Sequence, residues 1–123
     1  MTIQEKTMIK KVKEVLTPDL IPDYYRDGKV DNPMYGHCHH ASLALYDLLG
    51  GKDEGYKLRK GIDGDGITHY WLENPKGEIL DPTVEQYTET NRKPPYDNQI
   101  KRGVSYRRTK ASKEVLKRVN EKK

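Results

Sequence analysis

The chain contains a single cysteine and no phenylalanine. One cysteine excludes an internal disulfide and any zinc site built from several cysteines, so the thiol of Cys38 either fills the core or reacts. Without phenylalanine, the hydrophobic core has to combine aliphatic side chains with the nine tyrosines, each of which brings a hydroxyl. Because 34% of the residues are charged and only 33% are hydrophobic, we expect a domain of modest stability.

Long hydrophobic runs are also missing from the sequence. No segment approaches the ~18 apolar residues of a membrane span, and the N-terminus is charged and amphipathic, unlike a signal peptide. These features predict a cytoplasmic protein that does not bind a membrane. The length of 123 residues predicts a single domain over residues 1–123.

Positive charge is concentrated at the C-terminal end of the chain. Residues 101–123 hold ten Lys or Arg against two Glu, which gives +8, whereas residues 1–100 hold thirteen against seventeen acidic residues, which gives −4. A basic C-terminal helix is expected from about residue 108, with Ser112 as its capping residue. Its apolar residues are expected to form a stripe on the side opposite the cations. The simplest interpretation is a solvated helix face whose apolar stripe seals the sheet, and weak contact with nucleic acid or an acidic protein is the alternative.

Turn signals divide the chain into helices first and strands afterwards. Thr2 and Glu5 form the capping-box pair of a first helix, and apolar residues at helical spacing predict a second helix over His37–Leu49. Alternating patterns predict antiparallel strands over residues 56–62, 67–73 and 78–81. Gln99–Arg107 has the pattern of a final edge strand. This order of elements indicates an α+β fold.

Three residues in this pattern can form a catalytic triad. Cys38 falls in the first turn of the second helix, and a helix N-terminus together with a nearby imidazolium lowers the pKa of a thiol from ~8.5 to ~3.5–7.5. His69, on the second strand of the hairpin, can face a helix packed across the sheet and supply that imidazolium. Asp81 ends the next strand, where a turn can bring it beside His69 to hold the tautomer of the ring. We therefore predict Cys38 as nucleophile, His69 as base and Asp81 as the residue that orients the base.

Three motifs around these residues occur together and in order: Gly36-His-Cys38-His-His-Ala41-Ser42, His69-Tyr-Trp71-Leu-Glu73 and Gly77-Glu-Ile-Leu-Asp81-Pro82-Thr83. This region, residues 36–87, resembles the core of the transglutaminase-like branch of the papain-fold superfamily. The resemblance implies a papain-like fold in which the cysteine-bearing helix packs on a small antiparallel sheet. It also implies acyl chemistry without a cofactor, on a protein or peptide substrate, by a peptidase, deamidase or transglutaminase that the sequence does not separate.

The resemblance further implies an oxyanion hole, formed by the backbone N–H of Cys38 and a donor upstream of it. Asn32, six residues before Cys38, has the spacing at which papain-type enzymes place a glutamine, and Tyr35 is a second candidate. Trp71 shares a strand face with His69, so it is expected to pack beneath the site rather than to contact substrate.

The same residues also have simpler interpretations. A lone Cys38 can fill the core, as free cysteine often does. His37 and His40, three residues apart on one helix, could share a metal, but they are expected to be solvated or to act as local charges that keep Cys38 ionised, so no metal site is predicted. The alternative function is a non-catalytic binding module that uses residues 101–123 for nucleic acid or an acidic protein.

Overall fold

Helices precede strands along the chain, as the sequence predicts. A computed structural model describes residues 1–121 except 21–36, 65, 89–90 and 92. In these residues the helices are α1 (Ile3–Glu14), α2 (Cys38–Leu48), the single turn α3 (Glu85–Thr88) and α4 (Lys110–Glu121). The strands are β1 (Lys57–Ile62), β2 (Thr68–Glu73) and β3 (Ile79–Leu80). None of the helices in the described part of the chain has the length and apolar character that a membrane crossing needs.

The predicted capping box begins α1. The backbone N–H of Glu5 donates to Thr2 Oγ1 at 3.0 Å, and the backbone N–H of Thr2 donates to Glu5 Oε1 at 2.8 Å. Glu5 is nearly fully buried, and its second oxygen accepts the hydroxyl of Tyr56 at 2.7 Å. Glu5 therefore completes the capping box of Thr2 and also ties the helix to the segment that leads into the sheet.

The sheet is antiparallel, with strand order β1-β2-β3. Its first turn is closed by Asp63, whose N–H donates to the Ile67 carbonyl at 2.9 Å and whose carboxylate accepts the N–H of Ile67 at 3.0 Å. The predicted edge strand over residues 99–107 is wrong for the described chain: Gln99 makes an isolated bridge to Gly61. Gly103 then adopts a left-handed φ of 71°, which an extended strand cannot continue through.

Helix α2 lies at the centre of the fold. It packs against β2 on one side and against α1 and α4 on others, and the hydroxyl of Ser42 donates to the carbonyl of Tyr70 on β2 at 3.3 Å. The described residues thus form a small α+β domain. Its core is a set of buried aliphatic side chains from helices and strands: Val12, Val15, Ala41, Leu43, Ala44, Leu45, Leu49, Leu58, Leu72, Leu80, Val115 and Val119.

Helix α4 belongs to this core, although it carries the basic end of the chain. Val115 is fully buried and Val119 nearly so, whereas Lys117 is exposed. The prediction that Ser112 is the capping residue is wrong. Thr109 caps the helix, because its Oγ1 accepts the N–H of Ser112 at 3.0 Å while its own N–H donates to Ser112 Oγ at 2.9 Å. Ser112 completes this pair from inside the first turn.

Candidate active site

Cys38 is the first residue of α2 and lies next to the start of β2. Its sulfur is partly exposed and approaches the carbonyl oxygen of Thr68 at 3.9 Å. The N-terminal end of a helix carries partial positive charge from its backbone N–H groups, so the sulfur occupies a place where negative charge is stabilised. The start of α2 gives Cys38 the position that the sequence predicts.

His69 lies on β2 with its ring fully buried. Nε2 is 2.6 Å from Asp81 Oδ2, so a neutral ring carries its proton on Nε2 and leaves the lone pair on Nδ1. Nδ1 is buried and has no hydrogen-bond partner of normal geometry within the described part of the chain. Burial acts to lower the pKa of His69, but Asp81 and the nearby thiol of Cys38 outweigh it and raise the pKa to about 9. Because Nε2 faces Asp81, Nδ1 is the ring nitrogen that remains for the thiol.

Asp81 follows β3 directly, and its position beside His69 comes from the strand register. Leu72 on β2 pairs with Leu80 on β3, so Asp81 comes opposite Trp71, diagonal to His69 and on the same face of the sheet. Only 3% of its side chain is exposed. The carboxylate accepts the N–H of Thr83 at Oδ1 (3.1 Å), while Oδ2 accepts both His69 and the hydroxyl of Tyr96, the latter at 2.7 Å.

Aromatic rings enclose the buried side of His69. The ring of Trp71 is stacked at 6.0 Å between centroids, and the ring of Tyr87 lies edge-on at 4.8 Å. Trp71 is 1% exposed, so the structure places it behind the histidine, where it packs and offers no surface to a substrate. These rings keep water away from the pair formed by His69 and Asp81, which strengthens its electrostatic interaction.

The histidines beside Cys38 differ from the sequence prediction. His37 and His40 are almost fully buried, and His37 Nδ1 is 2.7 Å from His40 Nε2. Burial lowers the pKa of His37 to about 4 and that of His40 to about 3. The expectation that they are solvated or charged is therefore wrong, because burial disfavours the charged form of a histidine and favours a neutral hydrogen-bonded pair. His39 stacks on Tyr70 at 4.2 Å.

Two candidates for the oxyanion hole, Asn32 and Tyr35, lie outside the residues that the structure describes. Among the residues that it does describe, no group of three or more His, Cys, Asp or Glu side chains is arranged to hold a metal ion.

Tyr96 belongs to the site, although no motif in the sequence assigns it there. Tyr96 lies fifteen residues after Asp81, in a loop without regular periodicity, so helix and strand spacing could not place it. The available signal was the preceding Pro94-Pro95 pair, which limits the backbone freedom of a loop that carries a large aromatic ring.

A family model described as YunG protein matches residues 9–123 of the chain. The match covers nearly the whole sequence, including each residue of the site, and the chain therefore belongs to this family. Searches of curated proteins and of solved structures found no significant match.

Proposed function

We propose that this member of the YunG protein family is a small cysteine-dependent hydrolase or acyltransferase that acts on a peptide or carboxamide carbonyl. The observation that carries the proposal is the environment of His69, whose ring bonds Asp81 through Nε2 and leaves Nδ1 buried on the side of Cys38. Among the residues that the structure describes, Nδ1 has no hydrogen-bond partner of normal geometry, and such a buried nitrogen is costly in a histidine that only fills the core. In a thiol-dependent enzyme it is the atom that exchanges a proton with the nucleophile.

The proposed reaction uses these three side chains in sequence. The proton of the Cys38 thiol resides on His69, and the resulting thiolate attacks the carbonyl carbon to form a tetrahedral intermediate. His69 then gives the proton to the leaving amine as the C–N bond breaks, which leaves a thioester on Cys38. Water, or a second amine, attacks the thioester while His69 accepts its proton, and the C–S bond breaks to release the product and restore the thiolate of Cys38 beside protonated His69. Asp81 holds the ring and stabilises its charge throughout.

We also propose that the domain is a reduced transglutaminase-like core of the papain type. Its support is the arrangement of elements: the cysteine begins α2, α2 packs on β2, His69 is on β2 and Asp81 follows the antiparallel neighbour β3. This is the order and packing that the three sequence motifs imply for that superfamily.

The test is detection of a covalent acyl-enzyme and of its products. The protein is incubated with glutamine-containing peptides, with and without a primary amine, and analysed by intact-mass spectrometry. Peptide cleavage would assign a peptidase, ammonia release without amine incorporation a deamidase, and amine incorporation a transglutaminase. Cys38→Ala and His69→Ala should abolish each of these signals.

The control is Lys117→Ala, which changes an exposed side chain on α4 and leaves the three triad side chains in place. A product signal that survives in Cys38→Ala would contradict the proposal. So would a thiol that reacts at the same rate in His69→Ala as in the wild type.

A second candidate is a binding module that uses its basic C-terminal end. The observation in its favour is that α4 buries its apolar side while Lys110, Lys113 and Lys117 remain exposed, and residues 101–123 carry +8. Binding to a nucleic acid that weakens steeply with salt, together with an unreactive Cys38, would favour this function. Salt-independent behaviour with a reactive thiol would favour the enzyme.

A further inference from the structure

We propose that Tyr96 is a positioning residue of the site, which fixes the carboxylate of Asp81 so that Oδ2 points at His69. The inference rests on the proposed function and adds a fourth side chain to it. Its starting point is one oxygen atom: Asp81 Oδ2 accepts His69 Nε2 at 2.6 Å and the hydroxyl of Tyr96 at 2.7 Å. The other oxygen accepts the backbone N–H of Thr83 at 3.1 Å.

These hydrogen bonds determine the orientation of the carboxylate. The contact from Thr83 anchors Oδ1 only, and a carboxyl group held at one oxygen can still swing the other away from its partner. Tyr96 and His69 approach Oδ2 from different elements, a loop and a strand, so together they hold this oxygen in place. Burial, followed by the charge of Asp81, raises the pKa of Tyr96, so its hydroxyl remains a donor wherever the site is active.

The ring of Tyr96 is itself held by the sheet. It packs edge-on against Trp71, with 5.0 Å between ring centroids. Trp71 in turn lies behind His69. A single aromatic stack thus connects the tyrosine that bonds Asp81 with the histidine that Asp81 orients.

The loop that carries Tyr96 is fastened to the outer edge of β1. Asn98 Nδ2 donates to the carbonyl of Ile62 at 2.8 Å, and the N–H of Ile62 donates back to the carbonyl of Asn98 at 3.3 Å. Gly61 permits this close approach, because a Cβ there would lie 2.5 Å from the carbonyl oxygen of Pro95. The absence of a side chain at Gly61 therefore lets the loop bring Tyr96 over the site.

Tyr87 provides a matched control within the same chain. Its ring also contacts His69, and its hydroxyl also donates to a buried aspartate, Asp63, at 2.8 Å. Tyr87→Phe and Tyr96→Phe therefore each remove one hydroxyl that bonds a buried carboxylate near the histidine. Only Tyr96→Phe removes a hydrogen bond to Asp81.

The experiment is a nuclear magnetic resonance titration of His69, combined with the rate at which iodoacetamide alkylates Cys38. In Tyr96→Phe we expect the titration midpoint of His69 to fall by about one pH unit and the alkylation rate at neutral pH to fall about tenfold, the size expected for one hydrogen bond to a charged group. Tyr87→Phe should match the wild type in both. In an Asp81→Asn background, Tyr96→Phe should have no further effect, because Tyr96 acts through Asp81.

Three results would overturn the assignment: a His69 midpoint in Tyr96→Phe equal to or above that of the wild type, an equal shift in Tyr87→Phe, or a shift that persists in the Asp81→Asn background. The titration does not depend on catalysis. If His69 shifts as expected while Cys38 is inert in every variant, the positioning role of Tyr96 stands and the proposed function fails.

Discussion

Asp81→Asn should separate His69 from its charged partner while leaving the fold intact. The amide is nearly isosteric with the carboxylate. Its oxygen can still accept the N–H of Thr83, which lies 3.1 Å from Oδ1 in the wild type. A neutral amide cannot stabilise an imidazolium as a carboxylate does. The increase in the pKa of His69 from 6.5 to about 9 corresponds to about 3 kcal/mol at ~1.4 kcal/mol per pH unit. Most of this stabilisation of the protonated His69 should be lost in Asp81→Asn.

The same substitution should change how stability depends on pH. A histidine whose pKa is raised by folding stabilises the protein fully below its unfolded value of 6.5, and this contribution disappears as the pH rises through about 9. In a Cys38→Ala background, where no thiolate enters the proton balance, the protein that keeps Asp81 should therefore lose unfolding free energy as the pH rises above 6.5, and the protein that also carries Asp81→Asn should lose much less. Urea unfolding across the pH range measures both.

Thiol reactivity is the second readout for Asp81→Asn. Because the imidazolium is less stable in the variant, we expect iodoacetamide to alkylate Cys38 at neutral pH at least about tenfold more slowly. The matched control is Asp63→Asn, which changes another buried aspartate that accepts a tyrosine hydroxyl. Equal alkylation rates in Asp81→Asn and the wild type, or an equal decrease in Asp63→Asn, would refute the role of Asp81.

Two further predictions concern stability. His37 and His40 should make the fold sensitive to acid, because burial lowers their pKa values to about 4 and about 3, and the unfolded chain therefore takes up protons first as the pH falls below ~6.5. Urea titrations should show that His40→Gln loses less unfolding free energy than the wild type between about pH 7 and about pH 5. An equal loss in the two proteins would argue against a neutral pair of histidines. Val115→Ala should cost about 2 kcal/mol in the same assay by leaving a cavity in the core, against less than about 0.5 kcal/mol for the exposed Lys117→Ala. Similar costs for the two would place α4 outside the core.

Local signals in the sequence predicted the elements that depend on nearby residues. The capping box of Thr2 and Glu5, the helix that begins at Cys38 and the hairpin turn at Asp63 each follow from side chains a few positions apart. The prediction of an edge strand over residues 99–107 was wrong, because a strand needs a partner along its length. This segment pairs with β1 only through the bridge between Gln99 and Gly61.

The candidate site shows the same limit. The proximity of His69 and Asp81 could be predicted from the sequence, because one residue lies on β2 and the other directly follows its antiparallel neighbour β3. The burial of His37 and His40 could not be predicted from the sequence, because it depends on which residues pack around the start of α2. The contact of Tyr96 with Asp81 depends on a loop crossing Gly61, and no local pattern encodes such a crossing.

The central claim is that His69 and Cys38 form one reactive unit, and the most direct measurement is the pH dependence of Cys38 alkylation by iodoacetamide in the folded wild type and in His69→Ala. We expect Cys38 to be alkylated at neutral pH much faster in the wild type than in His69→Ala, because only the wild type has an imidazole to take up the proton of the thiol. Alkylation with the same pH dependence and the same rate in both proteins, or no labelling in the folded state, would contradict the account.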